Sequence, residues 1–323
     1  MKKGLIILCV AVLALGLVQT ASALEIVFAI SAAPGSTQYI TAEEFTRRAN
    51  DLLGDKAKVT FYGSGQLGDD KDLMQKLKLG TVHLSMPSSI MSSIAGEAGL
   101  FDMPFLIKDR AHLNRIEHKV FWPMIAPAIE KKGYKVLGFW ENGIRHITNN
   151  VRPIVTPEDL KGVKIRTPKS TWRVKMFTAW GANPTPMAFS EVFVGLQTGV
   201  IDGQENPFTN IYAAKFQEVQ KYLSVTAHVY TPSFLTTGAG PWAKLPANVR
   251  TILEKTARDV QGWMYAMGAQ DDQTLLEKLG ANMKVNTADR AAFVKASMPI
   301  YDEFAKEISS GKAMIDLALK LAD

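Results

Sequence analysis

Short β-rich runs alternate with helical patterns along most of this chain, and that alternation restricts it to an α/β architecture. "EIVFAI" (25–30), "KVTFYG" (58–63) and "VHLSM" (82–86) read as strands. Between them, Ser36 or Thr37 can cap a helix that reaches Leu53. "DDKDLMQKLKLG" (69–80) places acids at its start and Gly80 at its end, as the helix dipole and the left-handed C-cap favour. "GYKVLGFW" (133–140) and "RHITNN" (145–150) read as two further strands. Thr156 and Pro157 open a helical turn at "TPEDLKG" (156–162). In "GVKIRTP" (162–168), Val163, Ile165 and Thr167 alternate with Lys164 and Arg166, and Pro168 ends the strand because it cannot donate to a ladder. Helices are expected over about 170–180 and from Ser190. A long one should run from Pro246 to about Leu279, with Gly262 and Gly268 inside it, and the chain beyond Thr287 reads as mostly helical.

The first residues carry a different pattern. Lys2 and Lys3 precede an apolar run from Leu5 to about Val18, and Ala21–Ser22–Ala23 supplies small residues before Leu24. This is the pattern of a secretory signal peptide over 1–23, cleaved after Ala23; the apolar run is too short to span a bilayer comfortably. The only cysteine, Cys9, falls inside that run, so a mature chain from Leu24 would have no disulfide and must rely on its core. Removing Lys2 and Lys3 from 37 basic residues leaves 35 against 31 acidic ones. The mild excess, with no basic block, argues against nucleic acid as a partner.

Recognised catalytic patterns are missing. No two of His83, His112, His118, His146 and His228 stand at i,i+4, and no mature cysteine can join them, so neither a metal site nor a cofactor is expected. There is no nucleophile elbow, P-loop or dinucleotide fingerprint. The glycines of "GSGQLG" (63–68) fit a strand-to-helix turn. What stands out are polar residues at strand ends: Arg145, Arg166 and Asn206. In open α/β sheets ligands bind beyond the carboxyl ends of strands, and an arginine there can grip a carboxylate through two parallel hydrogen bonds. The alternative for each arginine is a structural ion pair with a neighbouring acid.

Read together, "FWENGIRHITNNVRPIVTPEDLKGVKIRTP" (139–168) and "GANPTPMAFSEVFVGLQTGVIDGQENPFTNIYAAKFQEVQKYLSVTAHVYTP" (181–232) resemble the solute-binding proteins of tripartite ATP-independent periplasmic (TRAP) transporters, the DctP-like family. "GSGQLGDDKDLMQKLKLGTVHLS" (63–85) and "LFDMPFLIKD" (100–109) are similar to it as well. The resemblance implies a two-lobed periplasmic binding protein-like fold with a hinge and a long helix crossing both lobes. Lobe I would be 24–142 plus 232–271, and lobe II 143–231 plus 272–323. It also implies a periplasmic, non-enzymatic monomer that closes on a small organic carboxylate (a C4-dicarboxylate, sugar acid, or hydroxy or keto acid) and hands it to membrane permease subunits. By the same resemblance Arg166 makes the carboxylate salt bridge, Arg145 is a second ligand-facing arginine, Asn206 contributes from the QENP turn, and Phe189 walls the pocket. Ser88, in a neutral loop, fits ligand oxygens or caps a helix; Trp140 could wall the pocket or belong to the core. His146, on the opposite strand face from Arg145, reads as structural. Rival functions are an exported enzyme acting on a sugar acid, which needs a general acid or base in the cleft, and a ligand-binding component of a sensory receptor.

Overall fold

The computed structural model describes residues 23–322, without the side chains of 269–271. The proposed signal segment, up to Ser22, lies outside them. One mixed sheet organises the chain, in the order β2-β1-β3-β8-β4-β7-β5-β6, with β9 also paired to β8. β1 (Leu24–Ala29) and β2 (Ala57–Tyr62) are parallel and joined by the helix Thr37–Leu53. That helix starts where expected, Ser36 Oγ accepting from Tyr39 N–H. The helix Asp70–Leu79 begins with a capping box between Asp69 and Asp72 and ends at Gly80, φ +76°. β3 keeps only Leu84–Ser85 of the expected run; beyond Ser85 a single backbone bond, from Phe234 N–H to the Pro87 carbonyl, still ties the chain to β8.

The expected strands 133–140 and 145–150 are one strand, β4 (Tyr134–Asn149). It runs antiparallel to β8 (Tyr222–Gly238), a 17-residue strand whose Pro232 masks it in sequence. Both continue because the register shifts between Glu141 and Gly143, where β4 faces Pro232 and Thr231. A bulge of this kind absorbs the missing proline donor. Gly143 adopts φ +128°, and a Cβ there would stand 3.0 Å from Pro207. β1–β3 flank one half of the β4–β8 ribbon. β7 (Gly203–Pro207) flanks the other and leads to β5 (Lys164–Thr167) and β6 (Asn183–Pro186), while β9 (Lys284–Thr287) pairs with the near end of β8.

The helix Ala247–Gly280 has 34 residues, about 51 Å at 1.5 Å per residue. Its first turns bury Val249, Leu253 and Val260 against β1 and the helix Thr37–Leu53; its last turns bury Leu279 with Ile201 and Phe216. Gly268 lies against the buried Glu141, 3.4 Å from where a Cβ would be. Arg110 fixes that crossing by donating to Glu141, to Asp272 and to the Gly268 carbonyl. The expected helix at 156–162 is a single 3-10 turn, Pro157–Leu160. The C-terminal helix Gly311–Lys320 returns to the 110–116 helix, where His112 Nε2 meets the Ala318 carbonyl at 2.8 Å. No described helix is long and apolar enough to cross a membrane.

Candidate ligand-binding site

A cleft opens between the two halves of the sheet. Its walls come from the ends of β1, β3, β5 and β7, from the first turns of the helices after β1 and β2, and from the middle of β4. This is where an α/β sheet has free strand ends and amide dipoles to offer a ligand. Arg145, Arg166, Asn206, Phe189 and Ser88 all line it; so do Gln38, Asp70, Asn142 and Asn210, which sequence reasoning missed.

Arg166, the penultimate residue of β5, is 4 % exposed and has no ion-pairing carboxylate among the described residues. Its Nε and Nη2 both donate to the Met187 carbonyl, at 3.0 and 2.6 Å, which leaves Nη1 and the second hydrogen of Nη2 without a partner among the described residues. The Phe189 ring lies 5.9 Å from the guanidinium carbon. Burial lowers the Arg166 pKa to about 10, so the group is still charged at neutral pH.

Arg145 is placed differently. Nε and Nη2 grip the Glu205 carboxylate at 2.5 and 3.0 Å, and Nη2 also reaches the Glu205 carbonyl and Asn206 Oδ1. The structural ion pair is therefore real for this arginine, and only Nη1 is left over. Glu205 is fully buried; it also accepts from Arg173 Nη1 at 2.7 Å and meets His228 Nε2 at 3.2 Å. Arg173 continues to Asp102, which accepts from Ser170 Oγ. Burial alone would raise the Glu205 pKa, but Arg145 and Arg173 together hold it well below the carboxylate range. Two arginines and two carboxylates thus neutralise one another beneath the cleft. Arg166 stands outside that balance.

Asn206 is oriented by the same network. Its Oδ1 accepts from Arg145 and from Asn210, and its Nδ2 donates to Gln204. Ser88 caps no helix: its Oγ donates to the Pro232 carbonyl and accepts from Asn142 Nδ2, tying the loop after β3 to β8 and β4. Trp140 is a correction. It is fully buried, donates Nε1–H to the Ala257 carbonyl and packs on Phe45, so it belongs to the core and not to the pocket wall. An aromatic that ends an apolar run suits either place, and the pleat of β4 turns this one toward the long helix. His146 faces away from the cleft, stacked on Phe208 at 4.0 Å.

Asp70 sits opposite the arginines at the start of its helix. Ser31 Oγ donates to it at 2.5 Å, and burial raises its pKa against that hydrogen bond and the field of Arg166. Its position was legible only as an N-terminal helical acid; nothing local says that the β1 exit loop folds over it. At the mouth, Lys169 reaches Asp69 across the cleft at 2.7 Å. No group of three or more His, Cys, Asp or Glu among the described residues could hold a metal ion.

Two sheet halves joined by a bulged ribbon, with a buried polar cleft between them, define a two-lobed solute-binding protein of the periplasmic binding class. The chain belongs to the bacterial extracellular solute-binding protein family 7, DctP, whose model matches residues 28–307. It is 34% identical over 287 residues to the 2,3-diketo-L-gulonate-binding periplasmic protein YiaO of Escherichia coli K12, covering 86% of each chain. Among solved structures it is similar to a TRAP periplasmic solute-binding protein of Sulfurospirillum deleyianum with bound succinate (32% identity, TM-score 0.88, 93% of this chain and 99% of that one). It is also similar to the sugar acid binding protein of Advenella mimigardefordensis in complex with galactonate (29% identity, TM-score 0.88, 93% and 98%).

Proposed function

We propose that this protein captures a small organic carboxylate in the cleft and delivers it to the membrane permease subunits of a TRAP transporter. One observation carries the reading: Arg166, a buried guanidinium with no carboxylate partner among the described residues and one nitrogen still unpaired at the cleft. A buried cation of this kind calls for an anion, because desolvation otherwise disfavours its charge. The carboxylate sits against Nη1 of Arg166 and Nη1 of Arg145, with Phe189 over the guanidinium and Asn206 and Ser88 completing the wall. Relatives that bind diketogulonate, succinate and galactonate support a ligand of this size and charge.

The two lobes are 24–142 with 232–271 and 143–231 with 272–323, hinged at 142–143 and 231–232. The register shift beside Pro232 supports that position, since a bulge is where a sheet bends most easily. The chain is exported and its signal segment is then cleaved after Ala23, and the bound acid leaves unchanged. A thermal-shift screen of organic acids tests the reading, because a ligand that binds only the native state raises its melting temperature. A raised melting temperature with at least one small carboxylate, with the acid recovered intact, is expected. The absence of any shift at millimolar concentrations, or turnover of the acid, overturns it. Small-angle scattering should show a more compact particle with the same acid, and an unchanged curve on saturation would refute closure.

A further inference from the structure

The hydrogen-bond polarity of the cleft narrows the ligand further. We infer that this cleft selects a monocarboxylate carrying hydroxyl groups over a dicarboxylate, with Asp70, Gln38 and Asn210 accepting from the ligand's hydroxyls. The inference rests on the carboxylate-binding reading above.

The direction of each amide is set by groups that can act in only one way. Met86 offers Gln38 a carbonyl, so Nε2 must face it, and the same nitrogen donates to Ser233 Oγ. Gln38 Oε1 is left with no donor among the described residues. Ser88 gives its proton to the Pro232 carbonyl, so it can only accept from Asn142, whose Nδ2 also reaches Thr231. Asn142 Oδ1 then takes a hydrogen from Asn210 Nδ2, whose other contact is Asn206 Oδ1. Arginine only donates, so Arg145 independently fixes Asn206 Oδ1 as an acceptor. Asn210 Oδ1 is left with no donor closer than Thr209 Oγ1 at 3.5 Å. Ser31 occupies one oxygen of Asp70 and leaves the other open.

Two poles result. Among the described residues, the unpaired charged and amide donors of the cleft are Nη1 of Arg145, Nη1 and the second Nη2 hydrogen of Arg166, and one hydrogen of Asn206, all from the second half of the sheet; the Ser89 hydroxyl, from the first half, can donate or accept. Facing them, Gln38 and Asp70 come from the first half and, with Asn210, present oxygens. A carboxylate matches the first pole. A second carboxylate brings only acceptors to the other pole and adds a charge beside Asp70, whereas a hydroxyl brings the donor those oxygens lack.

The test is calorimetry at pH 7.5 with two sets of probes: glycerate, D-erythronate, galactonate and L-gulonate against malonate, succinate and fumarate. Wild-type protein should bind its best hydroxy acid at least tenfold more tightly than its best diacid. Asp70→Asn turns an acceptor into a donor and removes the charge. It should weaken the hydroxy acid at least tenfold while leaving the diacid unchanged or stronger. A diacid that binds within tenfold of the best hydroxy acid overturns the inference, as does an equal loss of both classes in Asp70→Asn. The wild-type comparison stands even if that variant folds poorly, which its unliganded melting temperature reports. Failure of every acid in both sets would instead sink the carboxylate-binding reading, and this inference with it.

Discussion

Replacing Arg166 by methionine keeps most of the side-chain volume beside Phe189 and removes the charge. Truncating one side of a buried, hydrogen-bonded charge pair costs about 2–5 kcal/mol in binding. Here the Nε–Nη2 edge of the guanidinium is already held by the Met187 carbonyl, which compensates part of the charge, and the ligand meets Nη1 and the second hydrogen of Nη2. That argues for the lower end, about 2–3 kcal/mol, or roughly 30- to 150-fold in Kd. Folding should suffer far less. The Met187 carbonyl loses two donors, worth about 1–3 kcal/mol if it is left dry, but no acid loses an ion-pair partner and a costly buried charge disappears. Arg166→Lys should fall between, since an ammonium keeps the charge but cannot hold the carbonyl and the ligand in one plane. Calorimetry with the acid found by screening, beside melting curves of unliganded protein, separates the two effects. If Arg166→Met binds within about threefold of wild type while melting normally, the assignment of this arginine is wrong.

The network beneath the cleft behaves in the opposite way. Glu205→Gln leaves Arg145 and Arg173 buried with too little counter-charge, so the unliganded protein should lose about 3–5 kcal/mol, and a change in urea unfolding free energy below about 1 kcal/mol would refute this. Burial depresses His146 to about 3 and His228 to about 4, so both are neutral in the fold and take up protons only on unfolding. Stability should therefore fall as pH drops from about 6.5 toward 4, with a slope approaching about 2.7 kcal/mol per pH unit for the two together; urea midpoints across this range test it, and His146→Phe should roughly halve the slope. Lys169→Gln breaks a partly exposed rim contact worth under about 1 kcal/mol, so ligand release should speed up by less than about fivefold and lose salt sensitivity; stopped-flow release identical to wild type at every salt concentration would count against a closing contact there. Trp140→Ala should cost about 3–5 kcal/mol of stability yet leave affinity within about twofold, as a core residue requires.

Much of this protein follows from local chemistry that the sequence carries openly. Ser36 and Asp69 cap their helices and Gly80 ends one because those contacts lie within four residues. "KIRT" is a strand with Arg166 at its end because alternation and Pro168 act over a few positions. Family membership was legible for a related reason: the long ordered stretches around Arg145, Arg166 and Asn206 lie within the segment that the family model matches. Tertiary structure decided what those side chains meet. β4 and β8 became single strands only because they pair with each other and share a bulge at Pro232, which read alone breaks a strand. Arg145 and Arg166 look alike as strand-end arginines. The register of β4 on β7 brings Glu205, sixty residues away, against the first, while the second meets a carbonyl and no carboxylate. Trp140 went to the core and Asp70 to the cleft through the packing of the long helix and the fold of the β1 exit loop. Charge compensation is a sum over partners from distant segments, and only the folded chain fixes which partners those are.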